Sequence, residues 1–102
     1  MPNWMSKRTA DILKSHKGIT IYDFDPRYES IDADVTVSYR GWQHNIRLGE
    51  VKGLSKAAID GRFRAAFLQF AVAYDDEVTD DGLDELYAIA DELMATDTNT
   101  PE

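Results

Sequence analysis

Asp34, Glu50 and Lys52 offer the most direct route to chemistry in this chain. Two carboxylates can hold a divalent cation that activates water and polarises a phosphate, and a lysine can stabilise the charge that develops. Glu50, Val51 and Lys52 form an E-x-K at the end of an expected strand, and a hairpin centred near Gly41 and Trp42 would set Asp34 across from Glu50. The same residues also read as a surface charge pair at a strand end. Asp23 with Asp25 and Asp32 with Asp34 share strand faces in pairs, a spacing that suits general acid and base work as well as simple solvation. His16 and His44 stand apart, with no cysteine in the chain and no spacing suggestive of a metal cluster or a triad, so both are expected at the surface and no cofactor is expected. Glu77, Thr79, Asp81 and Gly82 fit positions of a calcium loop, but the place of its bidentate glutamate is taken by Ala88.

A second pattern lies in the charge itself. Every Lys and Arg falls between Lys7 and Arg64, and the formal net charge of the 102 residues is −8. Asp75, Asp76, Glu77, Asp80, Asp81, Asp84, Glu85, Asp91 and Glu92 crowd one stretch that contains no base. On a helix, Asp84 and Asp91 lie about 10 Å apart at 1.5 Å per residue, so successive turns present negative charge in a row. Such a row imitates a phosphate backbone, the feature from which nucleic-acid-binding proteins draw much of their affinity. Acids at a helix N-terminus also complement the helix dipole, which accounts for Asp80, Asp81, Asp84 and Glu85 but not for Asp91, Glu92 and Asp97 near the other end.

The elements that must carry these residues can be read from periodicity. Ser6 caps a helix over 6–17, with Ala10 and Leu13 on one face and Gly18 as its stop. A three-stranded antiparallel sheet follows over 19–52: ITIYDF, broken by Pro26, then Val35, Val37 and Tyr39 alternating with polar residues, then Ile46 and Leu48 doing the same. Trp42 is expected to pack back across the sheet. A helix over 55–74 carries Ile59, Phe63, Ala66, Phe67, Phe70 and Tyr74 at spacings of three and four. Asp75–Asp81 is a polar break, and an acidic helix over 82–95 places Leu83, Leu86, Tyr87, Ala90 and Met94 inward, leaving 96–102 as a frayed tail. The expectation is one α+β domain: a helix, a three-stranded antiparallel sheet and two C-terminal helices packed on the sheet.

Three resemblances attach to these residues. The order of helix, three strands and helix over about residues 6–74 resembles the PD-(D/E)xK nuclease fold, which implies Asp34 and Glu50 as metal ligands and Lys52 as charge partner. Ala33 stands where that motif has proline, and no fourth core strand follows. Lys52, Gly53, Ser55 and Lys56, at the start of the long helix, resemble the basic junction of the double-stranded RNA-binding domain, although the overall charge opposes phosphate binding. In size, topology and acidic C-terminal half, the chain resembles small phage anti-CRISPR proteins, in particular acidic inhibitors that occupy the DNA-recognition surface of an RNA-guided nuclease; acidic immunity proteins share that profile.

That likeness implies a stoichiometric DNA-mimic inhibitor, not an enzyme, and carries over no residue; the charge pattern itself makes the nine clustered carboxylates the expected contact with a basic nucleic-acid-processing partner, without direct contact to nucleic acid. An adaptor or chaperone module would use exposed apolar residues such as Leu68 and Val72. Composition adds the setting. The absence of cysteine suits a reducing compartment, and no run approaches a membrane span or a secretory signal, so a cytoplasmic protein is expected.

Overall fold

The computed structural model describes residues 2–16, 18–22, 33–78 and 82–98, with backbone alone at 96–98. Lys17, Asp23, Asp25, Pro26, Asp32, Thr79, Asp80, Asp81 and residues 99–102 of the expected tail lie outside the described residues. The elements run α1 (Lys7–Lys14), β1 (Ile19–Tyr22), β2 (Ala33–Tyr39), β3 (Trp42–Gly49), α2 (Lys56–Glu77) and α3 (Gly82–Thr98). The strands form one antiparallel sheet in the order β1-β2-β3, giving the expected α+β architecture. Among the described residues no helix is long and apolar enough to cross a membrane.

Alternation decides the two faces of the sheet. On β2, Ala33, Val35, Val37 and Tyr39 are buried and the residues between them only half so, because successive side chains leave a strand on opposite sides. Ile46 and Leu48 of β3 join that inner face. Across it lies α2, where Ile59, Phe63, Phe67, Phe70 and Tyr74 recur every three or four residues and are all buried. Trp42 packs as expected: its ring sits 5.2 Å from Phe70 and 5.4 Å from Tyr74, with His44 stacked on it at 5.3 Å. Trp4, ahead of α1, is buried against Phe63 and closes the other end of the core.

Several boundaries shift for physical reasons. Helix α1 is shorter than its pattern, capped by Ser6 accepting from the Thr9 amide at 3.1 Å and ending at Ser15. Helix α2 continues through Asp75, Asp76 and Glu77, which had read as a break, because Tyr74 still anchors that turn to the core. Helix α3 extends to Thr98 and keeps most of the expected stripe: Leu86 and Ala90 are buried and Leu83 and Tyr87 pack partly buried against the core, but Ile89 and Leu93 join the inner face while Met94 is 51% exposed. Its run of Leu, Tyr, Ala, Ile and Ala offers apolar residues on two sides, and packing against α2 selects one.

The outer edge of β3 is covered by side chains of α2. Arg62 Nη1 donates to the carbonyls of Leu48 at 3.0 Å and Glu50 at 2.7 Å, and the Gln69 amide pairs with both the N–H and the C=O of Arg47 at 3.4 Å. An open strand edge invites pairing with other chains, and these contacts satisfy it locally. Replacing Arg62 with Met keeps the stem and removes the donors, so stability in urea should fall by about 1–2 kcal/mol with an unchanged denaturant slope. An unchanged midpoint would show that water replaces the guanidinium without loss.

Candidate functional site

The hairpin turn decides the fate of the nuclease-like trio. Arg40 and Gly41 both take positive φ, 53° and 83°, so the chain reverses in two residues and Tyr39 pairs with Trp42. That backbone form matches the twist of the strands, and it moves the turn back from the Gly41–Trp42 position. A register shift between Ala33 and Asp34 then sets Ala33 opposite Gly49 and Asp34 opposite Arg47. Asp34 therefore does not face Glu50. It lies on the half-exposed outer face of β2, whereas Glu50 and Lys52 are exposed beyond the end of β3. Among the described residues no three His, Asp or Glu side chains converge as a metal site.

The described acidic residues lie on two neighbouring helices. Asp75, Asp76 and Glu77 are exposed on the last turn of α2, and Asp84, Asp91 and Glu92 are exposed along α3, which packs beside it. Asp80 and Asp81, between the helices in sequence, are outside the described residues. Near Glu92 the surface is bordered by Lys7, Arg8 and Asp11 of α1, which line a shallow groove of about 530 Å³ with it. Around Glu92 the surface is thus mixed in charge.

Glu85 differs from its neighbours. It points inward, where its Oε1 accepts a short hydrogen bond from the Tyr39 hydroxyl and its Oε2 lies 3.0 Å from His16 Nδ1. His16 Nε2 lies 3.0 Å from Glu92 Oε2. Both ring nitrogens face carboxylates, an arrangement fully satisfied only by the doubly protonated imidazolium. His16, expected as an isolated surface residue, is therefore the bridge that ties the end of α1 to two turns of α3, its side chain only 19% exposed.

The electrostatics follow from these contacts. Partial burial works against charging His16, yet the hydrogen bonds and negative charges of Glu85 and Glu92 outweigh it, and the ring protonates above its ordinary 6.5. Hydrogen bonds from Tyr39 and His16 hold the Glu85 carboxyl below its ordinary 4.5 despite some burial. Burial and the bond to Glu85 push the Tyr39 phenol well above its ordinary 10. No periodicity marked this network; the only hint was a histidine at a helix end facing a carboxylate-rich helix.

A second polar group hidden from the sequence is Asp60, 3% exposed within α2. Its Oδ1 accepts the Ser6 amide at 2.8 Å, and its Oδ2 accepts the Thr9 hydroxyl at 3.2 Å and Arg64 Nε at 3.0 Å. It seats the start of α1 as His16 seats its end. Compared with protein-family models, curated proteins and solved structures, the chain matches none.

Proposed function

We propose that the protein is a small acidic inhibitor, non-catalytic, that occupies the basic nucleic-acid-binding surface of a partner protein by presenting fixed negative charge in place of phosphates. What supports this reading is the number of exposed acids, Asp75, Asp76 and Glu77 on α2 and Asp84 and Asp91 on the adjacent α3, in a segment that from Ala65 onward contains no Lys or Arg. Helical backbone holds Asp84 and Asp91 at about 10 Å spacing, so the charges are fixed before binding and little ordering entropy opposes association. Glu92 contributes at the margin, and Glu85 chiefly holds α3 in place. The partner's surface would be rich in Arg and Lys, and long-range attraction would make association fast and salt-sensitive.

The test follows from that division of labour. A variant carrying Glu77→Lys, Asp84→Lys and Asp91→Lys leaves Glu85 and the core untouched and should keep its thermal transition. Immobilised wild-type protein should capture a basic nucleic-acid enzyme from lysate that duplex DNA displaces and raised salt releases. The variant should capture at least about tenfold less of it. Equal capture by both, or capture that DNA does not compete with, would defeat the proposal.

A further inference from the structure

Helix α2 carries a second stripe that the core does not use. On its solvent side Ala58, Gly61, Ala65, Leu68, Val72 and Asp75 follow one another at alternating spacings of three and four, the heptad pattern of a helix that meets another helix. Leu68 is 47% exposed and Val72 45%, and a shallow groove of about 520 Å³ runs between them and Gln69, Ala73 and Asp76. The helix has 22 residues, so at 1.5 Å per residue the stripe runs along an element about 33 Å long.

We infer that this face is the seat of a second copy of the chain, packed antiparallel through α2. Two features select that occupant. The first is shape. Antiparallel pairing about a midpoint between Ala66 and Phe67 sets Ala65 against Leu68 of the other copy and Gly61 against its Val72, so each large side chain meets a small one and the helices can approach closely. The second is charge. Lys56 is exposed at the start of α2 and Asp75, Asp76 and Glu77 at its end, so antiparallel pairing sets Lys56 of each helix beside the acidic end of the other. Parallel pairing would instead bring the two acidic ends together.

A pair of helices of this length buries on the order of 1,000 Å², the low end for specific association, so the dimer is weak and concentration-dependent. It uses Asp75 and Asp76, which the inhibitor reading also uses, but no residue of α3. The inference stands apart from the inhibitor reading, and either could fail without the other.

The chain contains no cysteine, so engineered ones report without ambiguity. Sedimentation equilibrium at about 1 mM protein should show mass rising from 11.5 kDa toward twice that value, since a Kd of 1 mM or tighter is visible there. Leu68→Glu should weaken the association at least about tenfold, because it puts a carboxylate into an apolar contact on both copies. Under oxidation, Leu68→Cys should cross-link to itself and to Ala65→Cys. Val72→Cys should not cross-link to itself, because the two copies of that residue lie about 16 Å apart along an antiparallel pair. A monomer at every concentration would overturn the inference. So would a dimer untouched by Leu68→Glu, which places the contact elsewhere, or efficient Val72→Cys self-linkage, which makes the pairing parallel.

Discussion

Replacing Asp60 with Ala lowers the free energy of unfolding by about 3–5 kcal/mol, the range for breaking a buried ion pair by removing one partner. The carboxylate is 3% exposed and serves three donors on two helices: the Ser6 amide, the Thr9 hydroxyl and the Arg64 guanidinium. Its loss leaves a 13% exposed arginine side chain without that counter-charge and unfastens the capped start of α1 from α2. Asp60→Asn is the informative companion, because an amide keeps acceptor capacity through one oxygen but not the charge; its loss should be smaller. Urea titration of both variants decides the matter, and an Asp60→Ala midpoint within about 1 kcal/mol of wild type would mean that water fills the site at little cost.

Replacing His16 with Ala should cost about 1–2 kcal/mol near pH 5.5 and much less near pH 9, the scale of hydrogen bonds to a charged group on a partly exposed site. The signs follow from the direction of each shift. The pKa of His16 is raised in the folded protein, so its contribution is complete below its ordinary 6.5 and disappears as pH climbs through the higher folded value. The pKa of Glu85 is lowered, so its contribution is complete above its ordinary 4.5 and disappears as pH falls through the lower folded value. Both are in force together between those ordinary values. Tyr39 extends the network on the alkaline side, since the contribution of its raised phenol is complete below its ordinary 10 and disappears only as pH climbs through the higher folded value. Thermal melts of wild type and His16→Ala across this range should diverge most on the mildly acidic side. A gap that does not change with pH would show that His16 acts by packing alone, without its charge.

The elements and their order were legible because periodicity reports the face that water must not reach. Phe63, Phe67, Phe70 and Tyr74 on α2 and Val35, Val37 and Tyr39 on β2 are spaced for one helix face and one sheet face, and the structure buries all of them. Register was harder. Asp34 lies opposite Arg47 because Arg40 accepts a positive φ and a register shift follows Ala33, and neither event leaves a hydrophobic trace in the sequence. On α3 the expected Leu86 and Ala90 are buried and Leu83 and Tyr87 pack against the core, but apolar residues on more than one side left Ile89 and Leu93 unread and put Met94 inward by mistake. Of the acidic cluster, composition revealed the concentration of charge. It did not reveal that Glu85 turns inward, which depends on a tyrosine 46 residues away and a histidine 69 residues away.

Those separations bear on how the chain reaches this state. Helix α1 is held at its start by a residue 54 positions downstream and at its end by residues 69 and 76 positions downstream. Closing loops of that length must precede the contacts that reward it, which slows the step relative to the local hairpin and the pairing of α2 with α3. Helix α1 precedes its fasteners in the chain, so its second fastening cannot exist until Glu92 has been made. Trp4 can find Phe63 as soon as α2 forms, whereas the end of α1 waits for α3, so the two ends of one short helix are fastened at different stages of folding.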